Sequence, residues 1–478
     1  MKVFWGTMAF VVLVSSVLGC TIGVFSPLAT ADDRPMLWKN RDVPNVAQQY
    51  IYVEAEHNFV AITYQGIYDK VYGGTNDAGF GIVNTDTYNQ GNWRSYGISD
   101  GEVMFIALSQ CESVWDFLGI LDSLLADTSV GLRSTHCYGV IDKFGNAIVV
   151  EATCTNYVYF NAASAPYGFL VRTNFAISGD DTLRRGWDRY IRARSVLEPL
   201  VPLDVRDVLE TARDLVTAEL DPNPLPFEGT IDSFPYGYIS TENTINRYYT
   251  ASYQIIVGAA EIDNPQYPVL WGGFGIPYAT IPVPLWVNSR EVPPQMTGSG
   301  ATMCSDAQFI KGQIHDQPDI RLFNTQTAYR IHEFLSPVEE NVFGQYYGYM
   351  SLWAKFGVSE DTLAYIQQDL CNQVAGRYEE VRGLFVEEHN YVKIQNISIK
   401  SYPNPFNSAV KIEISSPKNN FKHIEILDIK GKKVFETTLS PYTSTFIWKP
   451  SSKISSGLYI VSVKSGEYRA TSRLILSR

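Results

Sequence analysis

Residues 20–42 read CTIGVFSPLATADDRPMLWKNRD. The apolar positions through Val24 and Phe25 predict a strand, Ala31-Asp32-Asp33-Arg34-Pro35 a turn, and Met36-Leu37-Trp38-Lys39 a second strand. Upstream, Met1 to Gly19 carries one early Lys, an apolar run from Met8 to Val14, and small residues at Val17 and Gly19. That layout predicts a secretory leader cut after Gly19, too short to span a bilayer. The new terminus would be Cys20, whose thiol and free α-amino group share one residue: a nucleophile with its base attached. While the Gly19–Cys20 peptide bond persists, that nitrogen is an amide, and the precursor is expected to be inactive.

Composition bounds the rest. The 478 residues are enough for two or three domains, and 45% hydrophobic with 18% charged residues describes a globular chain. The formal charge of -12 argues against a nucleic-acid partner. It is unevenly spread: Ile399 to Arg478 holds 13 Lys+Arg against 5 Asp+Glu, leaving 25 against 45 for the remainder. Such a change of sign marks separate modules. Six cysteines are few for an exported chain, so no dense disulfide framework is expected. No stretch after the leader is apolar enough to predict a transmembrane segment in the mature chain.

Further strands are predicted over Ile51 to Tyr64, Gly79 to Asn84, Tyr138 to Ile141, Ala147 to Ala152 and Phe169 to Thr173, with helices over Glu112 to Ala126, Thr182 to Leu197 and Asp204 to Leu220. Pro222 to Pro294 is rich in proline and aromatics, with strands at Tyr253 to Val257 and Ala279 to Trp286. Ser359 caps a long helix toward Glu388. Beyond Ser401-Tyr402-Pro403-Asn404-Pro405-Phe406-Asn407 come six short alternating strands, a small all-β sandwich. The order of elements suits an α+β fold better than a doubly wound parallel sheet.

The pieces CTIG...ATADDRPMLWKNRD (20–42), GGTNDAGFGIVNTD (73–86), YGVIDKFGNAIVVEAT (138–153), GFLVRTNFA (168–176), WDRY (187–190) and GIPYATIPVPLWV (275–287) together resemble the N-terminal-nucleophile hydrolases related to isopenicillin-N acyltransferase and carcinine hydrolases. More distantly they resemble choloylglycine hydrolases. This implies a four-layer αββα sandwich over residues 20–395. The last 80 residues, from YPNPFN through LDIKGKKV to SGLYIVSVKSG, resemble the sorting domain of the type IX secretion system. That implies an immunoglobulin-like sandwich over 399–478, passage across the outer membrane, and a final place at the cell surface or outside. The implied partners are signal peptidase, the type IX machinery and a small-molecule amide substrate.

The family pattern implies Cys20 as nucleophile and Asp42 as the carboxylate that orients its amine. It implies Asn84 and then Asn174 as donors to a tetrahedral oxyanion, and Arg189 as an organiser of charge. Lys39 departs from the choloylglycine pattern, which has arginine there, so bile-acid specificity does not follow. Glu151 is expected to support structure. The six histidines show no metal-ligand spacing, and the YGGTNDAGFG turn lacks the Lys-Ser/Thr of a phosphate loop, so no metal or cofactor is implied. Three rival readings stand: a lipoprotein site at Val17-Leu18-Gly19-Cys20, which would alkylate the sulfur, a related cysteine dipeptidase, and a non-catalytic adhesin.

Overall fold

The computed structural model describes residues 19–91, 94–127, 129–216, 237–259, 267–298, 301–391, 397–416, 420–441, 443–466 and 468–478. The leader expected over Met1 to Gly19 lies outside them except for Gly19, as do the end of the helix expected at Asp204 to Leu220 and part of the proline-rich region. The chain divides into two compact units, Met1–Arg382 and Gly383–Arg478.

The first unit is mixed α/β. It runs β1 (Thr21–Phe25), β2 (Met36–Asp42), β3 (Gln48–Val53), β4 (Phe59–Tyr64), β5 (Gly73–Asn76), β6 (Gly81–Asp86), α1 (Asp100–Gln110), α2 (Val114–Ala126), β7 (His136–Ile141), β8 (Ala147–Ala152), β9 (Tyr157–Asn161) and β10 (Phe169–Arg172). There follow α3 (Trp187–Leu197), α4 (Val205–Ala212), β11 (Tyr238–Ser240), β12 (Thr250–Val257), β13 (Val269–Phe274), β14 (Val283–Trp286), α5 (Thr302–Ile314), β15 (Leu322–Asn324), α6 (Thr325–Phe356) and α7 (Glu360–Tyr391).

Two large sheets organise it. One is a seven-stranded meander from β3 to β9, and the other has the order β10-β1-β2-β12-β13-β14. Strands β1 and β2 lie against β6 and β7, so the sheets face each other. A Cβ on Gly139 would sit 2.5 Å from Val24 Cγ2, so this close approach of the sheets needs glycine. Outside the seven-stranded sheet, α1 and α2 bury Val103, Leu108, Phe117 and Leu121 against Phe80 and Tyr138. Their Ser99 and Ser113 starts are both closed by capping boxes. Helices α4 and α5 cover the other sheet. β12, TASYQIIV, is buried along its whole length, its Thr250, Ser252 and Gln254 included.

β1 is an interior strand, pairing antiparallel with the edge strand β10 on one side and β2 on the other. The helices are shorter than the sequence pattern predicts at Thr182 to Leu197 and Asp204 to Leu220, where α3 and α4 start or stop within those spans. Three helices, α1, α5 and α6, fall where no helix is predicted.

The second unit carries β16 (Ser398–Tyr402), β17 (Val410–Ser415), β18 (Lys422–Asp428), β19 (Lys433–Leu439), β20 (Thr445–Trp448), β21 (Gly457–Ser465) and β22 (Tyr468–Leu476). They form a three-stranded sheet, β16-β17-β20, and a four-stranded sheet, β19-β18-β21-β22. The strict alternation of VKIEIS in β17 puts Val410, Ile412 and Ile414 into one core with Ile424, Ile426, Trp448 and Val461. Among the described residues no helix is long and apolar enough to cross a membrane.

Candidate active site

Cys20 stands at the head of β1, half-buried, its thiol unpaired. The other five cysteines are buried, and none of the six is in a disulfide. Pairing of Thr21 with Asn40 brings the end of β2, and therefore Asp42, alongside Cys20. Burial pushes the Cys20 thiol up from its ordinary value, the Lys39 charge opposes that, and Asp42 and Asp86 add to it.

Asp42 is fully buried. Its carboxylate accepts from Thr250 Oγ1 at 2.8 Å and Arg247 Nη1 at 3.3 Å, with Arg189 Nη1 at 3.9 Å. Burial raises its pKa, and the two guanidiniums, Arg247 first, offset part of that cost.

Arg189, one turn into α3, reaches the start of β1. Its Nη1 donates to Cys20 O at 2.9 Å and Thr21 Oγ1 at 2.8 Å, and its Nη2 donates to Asn174 Oδ1 at 2.5 Å. Burial and the neighbouring Arg247 bring the guanidinium down to about 10. Gly19 sits inside this cradle, its carbonyl 3.5 Å from both Arg189 Nη1 and Arg247 Nη1. A Cβ at position 19 would meet Asn174 Oδ1 at 2.6 Å, Arg247 Nη1 at 2.8 Å and Arg189 Nη2 at 2.9 Å. A side chain there would push these three polar ends aside.

The two asparagines differ in what they have left to give. Asn174 spends both amide hydrogens, on Thr85 Oγ1 at 3.2 Å and Asp86 O at 3.1 Å. Asn84 donates once, to Asp100 Oδ2 at 2.9 Å, while its Oδ1 accepts from Lys39 Nζ at 2.5 Å. Lys39 is buried and also donates to Tyr72 O at 2.8 Å, and burial lowers its pKa to about 8. Glu151 takes Arg172 Nε at 2.7 Å and the backbone N–H groups of Ile177 and Ser178, which fixes the segment just after Asn174.

Thus Cys20, Asp42, Asn174 and Arg189 converge on one junction, and Asn84 joins through Lys39. Sequence reading missed Arg247, Thr85, Thr250 and Asp100. Arg247 follows β11 by several irregular residues, in NRYYT, and no spacing links it to Cys20. Donor atoms of Asp86, Asp100 and His136 lie within 4.8 Å of one another, a metal-capable cluster that the histidine spacing did not announce. Its members already have partners: His136 Nδ1 contacts Asp86 Oδ1 at 3.0 Å, and Asn84 holds Asp100.

Two family models match the chain. Residues 29–198 match the family described as acyl-coenzyme A:6-aminopenicillanic acid acyl-transferase, and residues 400–477 match the secretion system C-terminal sorting domain. Each match falls within the stretch whose motifs resemble that family, and the first begins after Cys20. The sorting domain marks the chain for type IX secretion to the cell surface or beyond. No curated protein matches. Penicillin V acylase from Agrobacterium tumefaciens superposes with a TM-score of 0.36 at 14% identity, over 56% of this chain and 85% of that one. The Caenorhabditis elegans ortholog of N-acylethanolamine-hydrolyzing acid amidase gives 0.33 at 15%, over 50% and 92%. A variant of the conjugated bile acid hydrolase from Clostridium perfringens gives 0.30 at 13%, over 53% and 92%.

Proposed function

We propose that this chain is an exported amidase or acyltransferase whose N-terminal nucleophile is Cys20, acting on a linear non-peptide or small-peptide amide. The observation that carries this reading is the convergence of Asp42, Asn174, Arg189 and Arg247 on the Gly19–Cys20 junction. The two facing sheets with helices outside are read as the αββα sandwich of N-terminal-nucleophile hydrolases, and the tail as an immunoglobulin-like sandwich. The domains are accordingly assigned as 1–19, 20–395 and 399–478.

After removal of Gly19, the α-amine accepts the thiol proton and the sulfur attacks the amide carbonyl. The resulting oxyanion takes a hydrogen bond from Asn84. Asn174 is the second donor and must release Thr85 or Asp86 to serve. The ammonium returns its proton to the departing amine, leaving a thioester on Cys20. Water then releases the acid, or another amine takes the acyl group. Asp42 holds the terminal ammonium without acting as base, and Arg189 fixes the Cys20 carbonyl.

Lipidation of Cys20 is disfavoured because β1 begins at the next residue, with no tether between. Intact-mass measurement and N-terminal sequencing of secreted material, with an amide panel run against Cys20→Ala, test the reading. It fails if the secreted chain retains Gly19 or carries a lipid on Cys20 and still cleaves amides.

A further inference from the structure

Asn84 lies between two groups of opposite hydrogen-bonding character. An ammonium only donates and a carboxylate only accepts, so an amide held between them has a single possible flip. Lys39 Nζ fixes Oδ1 at 2.5 Å and Asp100 Oδ2 fixes Nδ2 at 2.9 Å. Among the described residues the second N–H of Asn84 has no acceptor.

Both clamps are tied to the same segment. Lys39 Nζ also bonds Tyr72 O, while Val71 N–H donates to Gly101 O at 3.1 Å and Lys70 meets Glu102 at 3.7 Å. The Ser99 capping box with Glu102 sets where α1 starts, and Asp100 is its first residue. The carboxylate is thus held by a rigid helix start.

We infer that Asp100 is a positioning residue, which with Lys39 locks the Asn84 amide so that its remaining N–H is preset for the oxyanion. This rests on the amide-cleaving reading above. A preset donor avoids reorganisation when charge develops, and that is where such donors gain their effect. Asp100 touches neither sulfur nor substrate in this scheme. It acts through Asn84.

The test uses the secreted full chain with Asp100→Ala, Asp100→Asn, Asn84→Ala and the double variant Asn84→Ala/Asp100→Ala. Two rates are read: turnover of an amide found in the panel, and alkylation of Cys20 by iodoacetamide, which needs the thiolate but no oxyanion donor. Loss of the Asn84 donor is expected to cut kcat by about 10²–10³. Asp100→Ala is expected to cut kcat by at least tenfold while KM and the alkylation rate stay within about twofold. Asp100→Asn, whose amide oxygen still accepts, recovers part of the loss. The double variant is no slower than Asn84→Ala alone, because the two act as a unit.

The inference is overturned if Asp100→Ala turns over like wild type, if the losses multiply in the double variant, or if alkylation slows in step with turnover. Melting curves identify misfolding of Asp100→Ala, in which case Asp100→Asn decides by the same criteria. If wild type is alkylated at Cys20 but cleaves no amide, the functional reading falls and takes this inference with it. If wild type cleaves and Asp100→Ala equals it, only the inference falls.

Discussion

Replacing Arg247 by Met tests the electrostatics around Cys20 most directly. Asp42 is fully buried, with Arg247 3.3 Å away and Arg189 at 3.9 Å. Removing one partner of a buried pair leaves an uncompensated charge and costs about 3–5 kcal/mol. Arg189 and the Thr250 hydroxyl remain, so the lower end, about 3 kcal/mol, is expected at neutral pH. Burial has already raised the Asp42 pKa above its unfolded value, and loss of Arg247 raises it further. A carboxyl with a raised folded pKa binds its proton more readily in the native state. Its charge penalty therefore grows as pH rises from the unfolded toward the folded pKa and is constant above.

The Arg247→Met deficit should consequently shrink on acidification. Urea unfolding at a series of pH values, followed by near-ultraviolet circular dichroism, reads it. Asp42→Asn in the same background should recover most of the loss, since the orphan charge is gone. A variant as stable as wild type at neutral pH, or a deficit that neither acid nor Asp42→Asn relieves, would refute the reasoning.

Native alkylation should modify one thiol per mature chain, Cys20, because the other five cysteines are buried, and peptide mapping identifies it. Gly139→Ala should destabilise the first unit by about 1–3 kcal/mol by forcing the sheets apart at Val24, read by thermal unfolding. Deleting 399–478 should abolish release to the medium or surface while leaving the first unit folded, seen by cell fractionation and circular dichroism. Lys39→Met should shift the pH midpoint of Cys20 alkylation upward, since the charge that opposes the buried thiol's rise is removed.

What could be read from sequence was mostly local. Cys20 and Asp42 sit in one hairpin whose turn and strands are written in the quoted stretch, so their proximity follows from strand pairing. The tail strands were legible because one wet face gives clean alternation, as VKIEIS shows. β5 was not, since GGTN looks like a turn, yet it is fully buried between β4 and β6. The 32-residue α6 was hidden by an internal Pro337 and by aromatics that suggest strand until their helical spacing is counted. Arg247 and Asp100 were invisible for another reason. Each reaches the site from an irregular segment or a helix start, and only the folding of distant strands brings it there.

The interior place of β1 has a practical consequence. Hydrogen-bonded on both edges, it anchors Cys20 at its head, and the chain before that residue leaves through the polar cradle around Gly19. An affinity handle fused directly before Cys20 and not cut away would leave that residue without the free amine the proposed reaction uses. Recombinant production should therefore leave residues 1–19 as they stand and carry any purification tag downstream.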